Sequence, residues 1–304
     1  SPNPEEPAAL AMAVEKAKET DAELVMASDP DADRVGAAVK NNEGEWVLLN
    51  GNQTALMFVY YLITRWKELG KINGKEYIVK TIVTTETIKT IAERNGVEMY
   101  DVYTGFKWIA NVMRENEGKK NYIGGGEESY GFLCEDFVRD KDAVSACVIL
   151  AEIAAWAKDQ GLSLYQLLQK IYVEYGFSKE KGISVVKKGK SGAEEIEAMM
   201  KKFRENPLTE IAGSKVTYFY DYSTLKGKDY AENETVTLDM PTTSNVLQYF
   251  TEDNTKVSIR PSGTEPKIKF YCEVHSQVKS IDELPEAEKA AEEKINQIKA
   301  SLGI

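Results

Sequence analysis

The chain has 304 residues, with 42% hydrophobic, 29% charged and 10% aromatic side chains, which is the make-up of an ordinary globular protein of more than one core and excludes a disordered or fibrous one. A formal net charge of −11 repels a phosphate backbone and an anionic membrane surface, so neither nucleic acid nor membrane is an expected partner, and any anionic ligand must be held by local basic groups. The three cysteines, Cys134, Cys147 and Cys272, form no CxxC pair; reduced structural thiols in a cytoplasmic protein are expected, not a disulfide frame or a zinc site.

In chain order, the opening SPNPEEPAALAMAVEKAKETDAELVMASDPDAD is a proline-punctuated loop leading into a helix, with Leu10, Met12, Val14 and Ala17 at helical spacing, and then into the apolar strand AELVMA. It reads as a start in the middle of an α/β unit, which should expose a sheet edge or pack abnormally, since its partner strands are expected upstream. VGAAVKNNEGEWVLLN predicts a hairpin turning at residues 42–44. A helix is expected over 52–69, a strand over 77–83, a helix over 87–95, a strand over 97–102, a helix over 106–116 and a strand over 121–124. Helices over 142–158 and 164–175 follow. Strands alternating with helices of this length imply parallel βαβ crossovers, with ligands at the carboxyl ends of the strands. The apolar stretches 55–63 and 144–157 are too short or interrupted to span a bilayer, and no signal-peptide pattern opens the sequence.

Past residue 175 the pattern changes. ISVVKK and a helix over 193–204 are followed by the strands KVTYFYDYS, NVLQYF, KVSIRPS and KIKFYCEV, and an amphipathic helix in DELPEAEKAAEEKINQIKASLG closes the chain. The expected fold class is α/β: a parallel-sheet α/β domain at 46–175, preceded by a partial α/β unit at 1–45 and followed by a smaller α+β domain at 180–304.

Three motifs carry chemistry. In DPDADR, Asp29, Asp31 and Asp33 repel one another unless a cation joins them; oxygen-only ligation suits magnesium, and Arg34 offers a positive fork for phosphate. The plain alternative is a solvated turn, and an EF-hand is disfavoured because its glycine and bidentate glutamate do not follow. In GGGEESYGF the three glycines allow close approach of a ligand to the backbone, with Glu127 and Ser129 placed to bind sugar hydroxyls. About ten residues on, VRDKDAV holds the basic pair Arg139 and Lys141. In RPSGTEPKIKFY, Arg260, Ser262, Thr264 and Lys267 surround Gly263, so cations, hydroxyls and backbone N–H groups can converge on a phosphate; an ordinary turn also fits.

With these motifs in this order, and with TGFKW and VRDKDAV, the whole chain resembles the α-D-phosphohexomutase superfamily, and its phosphoglucomutase branch more than the GEMSGH form of the mannose and dual-specificity enzymes. The resemblance implies a four-domain enzyme that moves a phosphate between C1 and C6 of a sugar, glucose in this branch, through an enzyme phosphoserine. It implies Mg2+ as cofactor and glucose 1,6-bisphosphate as activator. Asp29, Asp31 and Asp33 become metal ligands, and Arg34 and Lys141 catalytic groups, Lys141 as general acid or base. Glu127, Ser129 and Lys107 hold sugar, while Arg260, Ser262, Gly263, Thr264 and Lys267 grip the phosphate that is not transferred. No Ser-His-Asn-Pro type loop occurs in the chain, so the serine is expected upstream of Ser1, and the chain alone is expected to bind a phosphosugar without turning it over. The single histidine, His275, reads as a surface residue just past a strand. Three alternatives stand beside this: a phosphomannomutase or phosphopentomutase of the same family, a non-catalytic phosphosugar-binding module, and a haloacid-dehalogenase-like phosphatase. The last is disfavoured because Asp33 and Arg34 stand where Thr or Val is usual. The sequence sets no oligomeric state.

Overall fold

A computed structural model describes residues 2–187, 189–263 and 265–304, and the chain divides into two units, Ser1–Gly176 and Phe177–Ile304. In the first, α1 (Pro7–Thr20) begins with a proline, whose fixed φ suits the first helical turn, and ends on Asp21 in the left-handed region. β1 (Leu24–Ser28), β2 (Val35–Lys40) and β3 (Trp46–Leu49) form an antiparallel sheet in the order β1-β2-β3. Leu10 and Ala17 of α1 pack on Val25 and Ala38 of this sheet. Because Trp46 pairs with Lys40 and Leu49 with Ala37, the first sheet runs past residue 45, where the sequence reading set a boundary. β1 is an edge strand.

A capping box starts α2 (Gly51–Glu68): Asn50 Oδ1 accepts from the Gln53 N–H at 2.8 Å and Gln53 Oε1 from the Asn50 N–H at 3.0 Å. Next come β4 (Glu76–Thr81), α3 (Thr87–Arg94), β5 (Glu98–Val102), α4 (Phe106–Asn116), β6 (Asn121–Gly126), β7 (Phe132–Cys134), α5 (Ala143–Asp159) and α6 (Leu164–Tyr175). The strands lie in the order β5-β4-β6-β7, with β4 parallel to β5 and β6, and β7 antiparallel to β6. Every residue of β4 is buried, as expected of a central parallel strand covered on both faces. On one face Tyr77, Val79 and Tyr122 pack against Phe106, Ile109 and Met113 of α4; on α2, Phe58 stacks on Phe132 with ring centroids 4.6 Å apart. α5 and α6 pack on α2 and also reach β1 and β2, tying the two sheets into one unit. The chain leaves β4 for β5 on one side and returns to β6 on the other, and at such a reversal the carboxyl ends of the strands are where ligands bind in parallel α/β sheets.

The second unit comprises β8 (Phe177–Val186), α7 (Gly189–Glu205), β9 (Glu210–Ile211), β10 (Ser214–Asp221), β11 (Lys226–Asp229), β12 (Glu234–Thr237), β13 (Leu247–Thr251), β14 (Lys256–Pro261), β15 (Lys267–Ser276) and α8 (Leu284–Leu302). The sheet is antiparallel throughout, in the order β12-β11-β10-β13-β14-β15-β8, with β9 paired to β10. Val257, Ile259, Ile268, Phe270 and Cys272 alternate along β14 and β15 as the buried face, and α7 and α8 contact these strands. This α+β unit begins at Phe177, three residues before the expected 180, because β8 pairs with β15 from its first residue. His275 lies within β15, not past it: its Nε2 is 2.8 Å from Glu273 Oε1 and its side chain is 18% exposed. Among the described residues no helix is long and apolar enough to cross a membrane.

Candidate active site

DPDADR forms the turn between β1 and β2, and Asp29 organises it. Its Oδ1 accepts from the N–H groups of Asp33 and Arg34, both at 3.0 Å, and its Oδ2 from Arg34 Nε at 2.9 Å. Burial alone would raise the Asp29 pKa; the hydrogen bonds and charge of Arg34 and the backbone N–H of Asp33 outweigh it and hold the carboxyl at about 2. Arg34 also reaches Asn3 Oδ1 at 3.2 Å and Glu5 Oε1 at 3.3 Å, so the fork expected to face phosphate is turned onto its own loop and the chain opening. Ala32 takes a left-handed φ of 56°, which reverses the chain and leaves Asp31 exposed.

The GEES loop begins at the carboxyl end of β6. Glu127 directly follows β6, is buried, and accepts the Gly105 N–H at 2.8 Å through Oε1. Gly105, with φ 112°, adopts a conformation reserved in practice for glycine and thereby presents its N–H at the start of α4. Lys107, in the first turn of α4, is exposed, with its Nζ 5.0 Å from the centre of the Trp108 ring. Glu128 Oε2 accepts from Thr81 Oγ1 at 3.2 Å, and Ser129 is half-buried. The glycines before the loop serve a different purpose from the expected one. Gly124–Gly126 lie inside β6, and a Cβ on Gly125 would stand 2.2 Å from the Val79 carbonyl oxygen. They let strands pack closely and do not open the backbone to a ligand.

Three distant segments meet here. The Val35 N–H donates to the Tyr130 carbonyl at 3.1 Å, and the Ala143 N–H to the Ala32 carbonyl at 3.0 Å. Lys141 Nζ donates to Asp33 Oδ2 at 2.5 Å. Burial would lower the Lys141 pKa, but Asp33 and the nearby Asp140 and Glu127 raise it, so the ammonium stays charged. The lysine stem crosses Gly131, where a Cβ would meet Lys141 Cδ at 2.4 Å. Arg139 pairs instead with Glu117 at 3.1 Å.

The fit to magnesium divides in two. The donors are hard oxygens, as that ion requires, and Lys141 already seats a cation on Asp33. No group of three or more acidic, histidine or cysteine side chains among the described residues is arranged as a metal cage, because Asp29 is drawn onto Arg34 and Asp33 onto Lys141.

The sequence reading missed Lys80, although a lysine within the apolar run YIVKT was a visible signal. It is 1% exposed and donates to Asp101 Oδ1 at 2.7 Å and Glu86 Oε1 at 3.0 Å, anchoring the carboxyl end of β4 beside Thr81.

In the second unit, RPSGTEPKIKFY is the turn joining β14 to β15. It closes by Ser262 N–H to the Lys267 carbonyl at 2.7 Å, and Lys267 Nζ pairs with Glu265 at 2.9 Å. Ser262 and Arg260 are half-buried, Gly263 is exposed, and Thr264 lies outside the described residues. Lys269, also missed, stands directly opposite Arg260 across the strands. Like charges at such a position are unfavourable unless an anion joins them.

Three models of one family match the chain: phosphoglucomutase/phosphomannomutase alpha/beta/alpha domain II over residues 1–44, alpha/beta/alpha domain III over 50–175, and the C-terminal domain over 184–291. A phosphoglucomutase of Staphylococcus aureus (strain MRSA252) is 38% identical over 271 residues, 89% of this chain and 48% of the relative. One of Staphylococcus haemolyticus (strain JCSC1435) is 34% identical over 275 residues, 90% of this chain and 49% of the relative. The chain thus spans about half the length of the curated relatives it matches. In fold it is similar to a phosphoglucomutase/phosphomannomutase family protein from Burkholderia thailandensis, with TM-score 0.62 and 19% identity over 99% of this chain and 52% of that one. It is likewise similar to the phosphoglucomutase pp63/parafusin of Paramecium in its open form, with TM-score 0.56 and 17% identity over 90% and 45%. On this agreement of motifs, fold and relatives, the chain belongs to the phosphoglucomutase/phosphomannomutase family.

Proposed function

We propose that this chain is the metal-, sugar- and phosphate-binding portion of a magnesium-dependent phosphoglucomutase, which interconverts glucose 1-phosphate and glucose 6-phosphate in the cytoplasm. The observation that carries the reading is the meeting of the DPDADR turn, the GEES loop and Lys141 in the first unit. In this reading Glu127 and Ser129 hold sugar hydroxyls, with Lys107 beside them, and Lys141 moves a proton at the reacting sugar oxygen. Arg260, Ser262, Gly263, Thr264 and Lys267 bind the phosphate that stays, and the facing pair Arg260 and Lys269 supports an anion there. Asp29, Asp31 and Asp33 would hold magnesium, which when bound stabilises negative charge on the transferring phosphoryl group. Arg34 fixes Asp29 and through it the shape of the turn. The phosphoserine is supplied by a segment outside these 304 residues, and glucose 1,6-bisphosphate serves as activator of the complete enzyme.

Calorimetric titration with glucose 1-phosphate tests the binding half of this reading. Arg260→Ala should lower affinity by more than about tenfold, since a charge-assisted hydrogen bond to phosphate contributes about 1.5 to 3 kcal/mol, with the melting temperature unchanged. Equal affinity in variant and parent would move the phosphate site elsewhere.

A further inference from the structure

The ion pair between Lys141 and Asp33 joins residues 108 positions apart, and both side chains are largely withdrawn from water, 20% and 28% exposed. It differs from the other cation of the turn. Arg34 is held by Asp29, Asn3 and Glu5 together, whereas Lys141 Nζ donates to Asp33. Its stem runs over the bare face of Gly131, the residue after Tyr130, whose carbonyl accepts from the Val35 N–H just past the turn. A divalent ion on either oxygen of Asp33 would lie within a few ångströms of this ammonium, where the repulsion between them is strong.

We propose that Lys141 is a displaceable counter-ion of the DPDADR turn: it neutralises Asp33 while the metal is away, and a divalent cation at the turn releases its ammonium along Gly131 toward the sugar loop. The general acid or base thus becomes available only when the metal is in place, and the apo turn is spared an unpaired, half-buried carboxylate. This rests on the proposed metal role of the turn.

The test is calorimetric titration of the 304-residue chain with Mg2+, in the wild type and in Lys141→Met, Lys158→Met and Asp31→Asn. Lys141→Met keeps the stem and removes the competitor, so its affinity should rise by about tenfold. Lys158, paired with the exposed Glu23, controls for loss of a positive charge elsewhere in the unit and should leave affinity unchanged. In the wild type, saturating Mg2+ should raise the rate at which an amine-acylating reagent modifies Lys141, read by mass spectrometry against Lys158. If the wild type binds Mg2+ and Asp31→Asn weakens it, but Lys141→Met binds no more tightly or acylation does not rise, displacement is wrong and the metal reading stands. If neither the wild type nor Lys141→Met takes up Mg2+, the metal reading fails and the displacement with it.

Discussion

His275 is the residue whose setting departs most from its sequence context. Burial would lower its pKa, but the charge of the Glu273 carboxylate 2.8 Å away, with Glu180 adding to it against the opposing Lys256, raises it above 6.5. Glu273 is itself pushed well below the usual carboxylate range, burial being outweighed by Lys256 and His275. A histidine whose folded pKa is raised stabilises the fold while protonated; the contribution is complete below the unfolded value of 6.5 and is lost as pH rises through the folded value. His275→Gln should therefore melt several degrees below the wild type at about pH 5.5, and the gap should narrow by about pH 9. A gap that is constant across this range, followed by circular dichroism, would mean that packing and not charge ties His275 to β15. Asp29 and Lys141 show the same logic at the candidate site: each is held by a specific partner of opposite sign, Arg34 and Asp33 respectively.

At the scale of elements, the sugar loop depends on the start of α2. A Cβ on Gly51 would lie 2.0 Å from the Glu128 carbonyl oxygen and 2.7 Å from the Tyr130 N, and backbone atoms cannot swing aside. Gly51→Ala should cost about 3 kcal/mol or more in chemical denaturation and displace residues 128–130, whereas Gly182→Ala in β8, with nothing within 4 Å of its Cβ, should stay within about 0.5 kcal/mol of the wild type. Equal losses would show that the tight contact at Gly51 relaxes freely. What could be read from sequence divides along similar lines. α2 and α6 carry capping boxes and apolar stripes, and β4, β14 and β15 carry apolar patterns, so composition and period revealed them. β7 is three residues long and follows a glycine-rich loop, and β11 and β12 are polar strands at a sheet edge; neither period nor apolar content marks such strands. The site motifs were legible because each is contiguous. The pairing of Lys141 with Asp33, of Glu127 with Gly105 and of Arg260 with Lys269 was not, since only the fold brings these residues together.

At the scale of the molecule, the chain carries two units and three family domains over about half the length of its relatives. In the proposed mechanism the phosphate passes through a covalent serine intermediate, so a chain without the nucleophile lacks the pathway and is not merely slow. Positioning by Glu127, Ser129 and Lys141 supplies no acceptor for the phosphoryl group. A coupled phosphoglucomutase assay on the purified 304-residue chain, with Mg2+ and glucose 1,6-bisphosphate supplied, tests this most directly. The account predicts no turnover above a blank, and recovery of turnover when a separately produced serine-bearing half of the enzyme is added. Turnover by the chain alone that survives repurification and is lost in Asp29→Ala would contradict it, placing the phosphoryl carrier among these residues.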